Sequence, residues 1–191
     1  MAVDVPAREI AFRAELRGVS VAFSATWGLF SPKGIDAGTH LLLEHLDIQE
    51  GDTCLDLGCG YGAIGITLAK CVQTSTVYMV DKDFVAVDYA RKNVEQNRLQ
   101  NCHVLLSNGF SHLPDIQFDL IVANLPANVG KELLQIFLAD TQHSLKPNGR
   151  LYVVTISGLR EFIKRNFMTV FGNYRKVKQR RTHTVAMATR V

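Results

Sequence analysis

Polar and apolar residues alternate along two short stretches near the start of the chain. Apolar positions recur at every second residue over 10–14 and again over 19–23, with Arg17-Gly18 between the two stretches. A repeat of two residues is typical of a strand that buries one face, and glycine favours the tight turn that joins two such strands. The pattern therefore predicts an antiparallel β-hairpin ahead of residue 30.

Beyond the hairpin, short apolar runs alternate with segments of helical periodicity. Helices are predicted at 39–46, 62–71, 84–97, 131–144 and 159–168, and strands at 53–57, 77–80, 102–106, 120–123, 151–155, 174–181 and 183–189. Strands separated by helices form parallel sheets, whereas the last two strands lack a helix between them and are expected to pair antiparallel. The predicted fold is α/β, a Rossmann-like doubly wound, mostly parallel seven-stranded sheet with an antiparallel C-terminal hairpin and a small N-terminal hairpin.

The composition fits one globular domain. With 191 residues, 47% of them hydrophobic and 20% charged, the chain can bury one sizeable core, and we expect a single domain over 1–191. Apolar runs are too short for a membrane span and the start carries no signal-like segment, so a soluble, cytoplasmic protein is expected. Four cysteines without a C-x-x-C pair predict reduced thiols, and no metal site is expected.

The strongest chemical signal is a glycine cluster after the strand at 53–57. Gly58, Gly60 and Gly62 alternate at the start of the next helix and follow Asp56. Gly58, Gly60 and Ala63 also match the dinucleotide pattern G-x-G-x-x-G/A, which by itself is weak. A carboxylate beside this turn would repel a pyrophosphate but attract a cation, so Asp56 favours S-adenosylmethionine, which carries a sulfonium and an ammonium group.

Polar residues also follow three later strands of the predicted sheet. Asp81 comes 21 residues after Gly60, the position at which an acidic side chain reaches ribose hydroxyls in doubly wound folds. Asn108 follows the next strand, where an adenine edge would lie, although a turn-forming role fits it equally well. Asn124 ends an apolar strand and is followed by Leu125-Pro126, in which proline holds Leu125 extended.

Together these residues resemble the methyltransferase small-domain family of class I S-adenosylmethionine methyltransferases, which includes ribosomal RNA guanine-N2 methyltransferases and short archaeal relatives. The resemblance covers nearly the whole chain and implies an N-terminal hairpin extension at 1–30 and a catalytic core at 31–191. Four matching regions carry it: 28–31 with 34–39, 56–62, 107–108 and 124–126.

The resemblance implies roles for individual residues. Asn124, Leu125 and Pro126 would form the catalytic segment, in which the Asn124 amide oxygen and the Leu125 carbonyl accept hydrogen bonds from the target NH2. Asp36 and Thr39 would belong to the cofactor site. The reaction implied is an in-line attack of the amine on the sulfonium methyl, without a metal, and proton loss can follow the transfer because a methylated amine is more acidic.

The fourth-strand segment departs from the usual family pattern, Asn-Pro-Pro followed by an aromatic residue. Leu125 replaces the first proline and Ala127 replaces the aromatic residue, so Ala127 cannot stack on a base. These departures motivate one alternative, a noncatalytic RNA-binding relative. A protein or small-molecule acceptor is also left open, because the sequence specifies the donor pocket far better than the acceptor pocket. An NAD or nucleotide-sugar enzyme is a further alternative, but it leaves Asp56 and Asn124 unexplained.

Positive charge is concentrated at the C-terminal end. Residues 1–158 carry 12 Lys and Arg against 17 Asp and Glu, whereas residues 159–191 carry 9 against 1. Alternate residues share one face of a strand, so this stretch predicts phosphate contacts with RNA. The predicted contacts are Lys176, Lys178, Arg180 and Arg181. The alternative is an edge strand whose charge protects it against aggregation. Trp27 is expected to pack near the cofactor entrance, with base stacking as its alternative.

Overall fold

The structure, a computed structural model, describes residues 9–126 and 130–191. It contains fourteen helices and strands besides one short 3-10 helix at Ser157–Leu159. In chain order they are β1 (Ile10–Leu16), β2 (Val19–Ala25), α1 (Ala37–His45), β3 (Thr53–Leu57), α2 (Ala63–Cys71), β4 (Thr76–Asp81), α3 (Phe84–Gln96), β5 (Cys102–Leu106), β6 (Phe118–Asn124), α4 (Lys131–Ser144), β7 (Leu145–Ile156), α5 (Arg160–Phe171), β8 (Arg175–Gln179) and β9 (His183–Thr189).

The strands form the predicted sheet. Seven of them pair in the order β5-β4-β3-β6-β7-β9-β8, while β1 and β2 form a separate antiparallel pair. Neighbours from β5 to β7 run parallel, and β9 pairs antiparallel with both β7 and β8. The predicted α/β class, the antiparallel C-terminal hairpin and the N-terminal hairpin are therefore confirmed.

Several element boundaries differ from the prediction for identifiable reasons. Helix α1 begins at Ala37, two residues early, because the Asp36 side chain caps it. Helix α5 continues to Phe171, where Gly172 adopts a left-handed φ of 71° and ends it. Strand β7 starts at Leu145, directly after α4, rather than at residue 151, and its pairing with β6 is irregular between Phe118 and Leu120.

Apolar side chains cover the sheet on both faces. On one face, leucines of α1 and α2 pack with the hairpin and with residues such as Met79 and Val154. On the other face, α4 and α5 pack against the central strands, with Leu138 and Phe167 fully buried. Within the described ranges, 9–126 and 130–191, no helix has the length and apolarity needed to cross a membrane.

Two asparagines, one in α3 and one at its C-terminal cap, attach the N-terminal hairpin to this assembly. The Asn93 amide accepts from Ser24 N at 2.7 Å and donates to Ser24 O at 2.9 Å. One turn along, Asn97 makes the same pair of hydrogen bonds with Ala22, at 3.1 and 2.7 Å. Side-chain amides therefore pair with the free edge of β2 as a neighbouring strand would.

Candidate active site

The carboxyl ends of the parallel strands bring the predicted site residues to one edge of the sheet. Strand β3 has β4 on one side and β6 on the other, so the chain order reverses between β3 and β6. A crevice opens beyond the strand ends at such a reversal, and ligands of doubly wound sheets bind there. The glycine cluster, Asp81 and Asn124 all follow or end strands at this edge.

Backbone hydrogen bonds hold the glycine turn closed against neighbouring strand ends. The N–H groups of Gly58 and Cys59 both donate to Val80 O at 2.9 Å, and Gly60 N donates to Asp81 Oδ2 at 2.9 Å. Gly62 N donates to Cys59 O at 2.9 Å. Because these donors are already engaged, the turn is poorly suited to cradle a pyrophosphate, which needs N–H groups directed at it.

The same turn leaves room for a ligand. Gly58 and Gly60 adopt positive φ angles of 73° and 56°, a region that residues with a side chain rarely occupy. A Cβ atom added at either position would meet no other atom within 4 Å. The backbone here is therefore open on the side where a bound molecule can approach closely.

Asp56 lies fully buried beneath the turn. Its Oδ2 accepts from Gly65 N at 2.8 Å, in the first turn of α2, while its Oδ1 has no hydrogen-bond partner within the described residues. Burial raises the Asp56 pKa to about 7; the Gly65 hydrogen bond opposes this and the nearby Asp81 charge adds to it. Asp56 therefore caps α2 through Oδ2, while its buried Oδ1 lacks a partner and would be stabilised by a nearby cation.

Asp81 stands at the end of β4, half-buried, as the sequence predicted. Its Oδ2 accepts from Gly60 N and its Oδ1 from Asp83 N, at 2.9 Å each. A carboxylate oxygen can accept two hydrogen bonds, so both oxygens can still accept from ribose hydroxyls. Asn108 is exposed beyond β5, where the Ser107 hydroxyl holds the loop by donating to Gly109 O at 2.8 Å.

Asn124, at the end of β6, is oriented by two residues that the family resemblance assigns to the cofactor site. Its Nδ2 donates to Thr39 Oγ1 at 3.0 Å and to Asp36 Oδ2 at 3.2 Å. A carboxylate only accepts hydrogen bonds, so the amide nitrogen must face Asp36. The Asn124 oxygen is therefore left as an acceptor, while Leu125 N, fixed on Val154 O at 3.0 Å, holds the following peptide in place. Pro126 is exposed, and Ala127 lies outside the described residues.

The segment from Thr26 to Asp36 contacts both the glycine turn and Asn124. The Tyr61 hydroxyl reaches Ser31 O at 3.3 Å and Gly34 O at 3.2 Å, so the residue after Gly60 anchors this segment. Trp27, expected to pack, is instead 59% exposed.

The four predicted RNA contacts do not share one strand face. The pairing register of β8 shifts between Lys176 and Lys178, and Lys176 Nζ reaches Gln179 Oε1, three residues on, at 3.5 Å. Arg180 and Arg181 follow the strand in the turn before β9, and Arg180 pairs with Glu44 at 3.4 Å. Because β9 runs opposite to β7, with His183 beside Ile156, this turn is at the same sheet edge as Asn124.

Two residues that pack next to the site carried no clear sequence signal. Gly65 lets α2 approach β4, because a Cβ there would lie 2.4 Å from Met79 Cγ, and it also supplies the N–H that Asp56 accepts. His183 packs on the first turn of α1, where a Cβ at Gly38 would lie 3.0 Å from its Cδ2. Their roles depend on packing between elements, although a glycine inside a helical pattern is a usable hint.

The residues present fit S-adenosylmethionine. The unpaired buried oxygen of Asp56 suits a nearby cation, the glycine turn leaves space, and Asp81 offers acceptors for a ribose. No group of three or more His, Cys, Asp or Glu able to hold a metal occurs among the residues that the structure describes.

Comparisons with known proteins point to the same chemistry. Residues 20–187 match the family model described as methyltransferase small domain. The uncharacterized protein YbxB of Bacillus subtilis is 34% identical over 141 residues, which are 73% of this chain and 70% of that protein. Ribosomal RNA large subunit methyltransferase G of Shewanella loihica is 30% identical over 148 residues, 71% of this chain but only 37% of that protein.

Two solved structures are similar to this chain over most of its length. The T. thermophilus 16S rRNA N2 G1207 methyltransferase (RsmC), in complex with AdoMet and guanosine, has a TM-score of 0.89 and 29% identity, and the match covers 98% of this chain and 52% of that one. Ribosomal protein L11 methylase from Lactobacillus delbrueckii, at 20% identity and a TM-score of 0.70, shares the fold; the match covers 87% of this chain and 84% of that one. The chain therefore belongs to the methyltransferase small domain family, is related to ribosomal RNA guanine-N2 methyltransferases, and uses S-adenosylmethionine as its cofactor.

Proposed function

We propose that this chain methylates an exocyclic amine of guanine in RNA, with ribosomal RNA as the favoured substrate. The observation that carries the proposal is the orientation of Asn124, whose amide nitrogen is held by Asp36 and Thr39. Its oxygen, together with the Leu125 carbonyl, then offers two acceptors for the two protons of an NH2 group. Two relatives named as ribosomal RNA methyltransferases, one of them bound to guanosine, support the same acceptor.

The chain contributes positioning rather than acid–base chemistry in this scheme. The cofactor supplies a methyl group on a sulfonium, which is already an electrophile. Holding both amine protons directs the nitrogen lone pair at the methyl carbon, and a reactant fixed in this way reacts much faster than a free one. No general base is required, because the amine releases a proton to water after it has gained the methyl group.

The direct test offers methyl-labelled S-adenosylmethionine and the purified chain to ribosomal RNA, protein and small-molecule fractions in parallel. We expect label in RNA, recovered as a guanosine methylated on N2 after digestion to nucleosides. Label found only in protein or in small molecules would overturn the acceptor assignment. An absence of label in every fraction, with unchanged RNA binding by Asn124→Ala, would support a noncatalytic RNA-binding relative.

Variants at the acceptor site test the role of Asn124. Asn124→Ala should lower kcat by about 10²-fold or more while leaving cofactor affinity unchanged, because it removes an acceptor that matters only for the target amine. Thr39→Val should lower kcat by roughly 5- to 50-fold through loss of one orienting hydrogen bond, and the matched control Thr39→Ser should restore it. Equal effects of Val and Ser at position 39 would contradict the orienting role.

A further inference from the structure

We propose that Trp27 and Phe30 form a stacking platform for unpaired RNA bases next to the methylated nucleotide; this rests on the proposed function. The two rings are 59% and 67% exposed, while Thr26 and Leu29 beside them are buried at 3% and 8%. Removing a large aromatic side chain from water lowers the free energy, so two such rings exposed within four residues are available to bind a partner.

The segment that carries the rings is fixed from several sides. Leu29 is anchored in the core and its N–H donates to Thr26 O at 3.3 Å. Ser31 Oγ donates to Gly34 O at 2.7 Å, and the Tyr61 hydroxyl reaches the carbonyls of both Ser31 and Gly34. Because the backbone that carries the rings is already held, binding orders little more than two aromatic side chains, which have few rotatable bonds.

The position of the platform suits a nucleotide that adjoins the target. Tyr61, which lies within the glycine turn, holds the segment at Ser31, and Asp36 at the far end of the segment accepts from Asn124. The platform segment thus connects the cofactor side to the acceptor side of the site. Residues 125–127, Leu-Pro-Ala, contain no aromatic ring that could stack on a base, whereas Trp27 and Phe30 supply two.

Charge selects RNA as the partner. Lys33 Nζ lies 4.7 Å from the centroid of the Trp27 ring, and the exposed Arg180 and Arg181 lie at the same edge of the sheet. Aromatic rings interleaved with cations are the arrangement that binds single-stranded nucleic acid, where rings stack on bases and cations meet phosphates. An uncharged apolar peptide would make no use of the cations.

The chain provides its own reporter, because Trp27 is its single tryptophan. The wild-type chain, with S-adenosylmethionine present, is titrated with a short unstructured RNA oligonucleotide and with an abasic ribose-phosphate strand of equal length. Stacking should quench Trp27 fluorescence with the RNA and leave it nearly unchanged with the abasic strand. Equal quenching by both strands, or RNA binding without quenching, would overturn the platform.

Variants give a second, independent measurement. Trp27→Ala combined with Phe30→Ala should weaken RNA binding roughly 5- to 150-fold, the loss expected for about 1–3 kcal/mol of stacking. The slope of log affinity against log salt should not change, since no phosphate contact is removed. Trp27→Phe should recover part of the affinity, and Met168→Ala, an exposed apolar change on α5, should have no effect.

The outcomes separate this inference from the proposed function. If the double variant binds and methylates RNA as the wild type does, the platform is wrong and the RNA methyltransferase assignment stands. If the wild type methylates no RNA, the proposed function fails. The platform is then still tested by the fluorescence titration, and it stands only if RNA quenches Trp27 and the abasic strand does not. Quenching by an arginine-rich peptide as strong as that by RNA would indicate a protein partner and overturn the inference.

Discussion

At the residue scale, one carboxylate connects helix formation with the acceptor site. Asp36 Oδ1 caps α1 by accepting from Gly38 N at 2.8 Å and Thr39 N at 3.2 Å, while Oδ2 accepts from the Asn124 amide. The cap fixes the carboxylate, and the carboxylate in turn fixes which way the amide faces. The residue that caps α1 therefore also determines that Asn124 presents its oxygen, a hydrogen-bond acceptor, to a substrate.

Asp56 makes the stability of the chain depend on pH. Burial raises its pKa from 3.8 to about 7, so between these values the folded chain keeps a proton that the unfolded chain releases. The unfolded state then binds fewer protons, and the contribution of Asp56 to the free energy of unfolding falls as pH rises through this window.

Asp56→Asn cannot ionise at this position. We therefore predict that the free energy of unfolding of this variant, relative to that of the wild type, increases as the pH rises from 4 to 8. The increase is at most about 4 kcal/mol, because the pKa shift from 3.8 to about 7 corresponds to about 1.4 kcal/mol per pKa unit. Denaturant unfolding at the two pH values measures it, with Asp88→Asn, a half-exposed change on α3, as the control. Parallel pH profiles for wild type and Asp56→Asn would contradict the buried, raised carboxyl.

At the scale of elements, the hairpin is attached by side chains rather than by sheet extension. Asn93, fully buried on α3, satisfies Ser24 N, Ser24 O and also Tyr61 O, the last at 2.8 Å. Phe12, Phe23 and Tyr61 pack their rings together nearby, with centroids 5.5–6.0 Å apart. The residue that anchors the Trp27 segment is thus also part of the hairpin interface.

Removing the Asn93 amide should strongly destabilise the chain. Asn93→Ala leaves three buried backbone groups without partners, and we expect a loss of about 3–5 kcal/mol in the free energy of unfolding. Glu95→Ala, an exposed change on the same helix, should stay within about 0.5 kcal/mol of wild type. Chemical denaturation measures both, and a loss below about 1 kcal/mol for Asn93→Ala would show that the hairpin is held mainly by its apolar packing.

At the scale of the whole molecule, the excess of positive charge is spread along the C-terminal hairpin. Strand β8 is the edge of the sheet, so its lysines are exposed along one side of the molecule. Arg180 and Arg181, in contrast, lie at the end of the hairpin near Asn124. The distance of each cation from the site therefore increases from the turn back along β8.

We predict unequal contributions from these cations to RNA binding. Changing Lys176, Lys178, Arg180 and Arg181 to Gln together should weaken binding by roughly 10³-fold at moderate salt, with cofactor affinity near wild type. The arginine pair alone should lower the log–log salt slope by about 1.4 to 1.8, and the lysine pair, its matched control, by less. Salt titrations of the three variants measure these effects. Unchanged affinity and slope in the fourfold variant would show that the stretch is only a charged sheet edge that does not contact RNA.

Much of the fold was predictable because its signals are local. Periods of two and 3.6 residues mark strands and helices from neighbouring positions alone, and the helix-free connection between β8 and β9 predicts their antiparallel pairing. The glycine cluster after β3 and Asn124 after β6 are likewise local, since each follows the end of an apolar strand. The sequence by itself therefore determined the order of elements and the sheet edge at which a ligand binds.

Tertiary structure decided how the site residues relate to one another. Asp36 and Asn124 are 88 positions apart, so only the packing of α1 on the sheet shows that one orients the other. The Tyr61 hydroxyl reaches the carbonyl of Ser31, 30 positions earlier, and the register shift in β8 separates Lys176 from Lys178. Such relations arise from long-range contacts, which sequence periodicity does not encode because it records only which face of an element is buried.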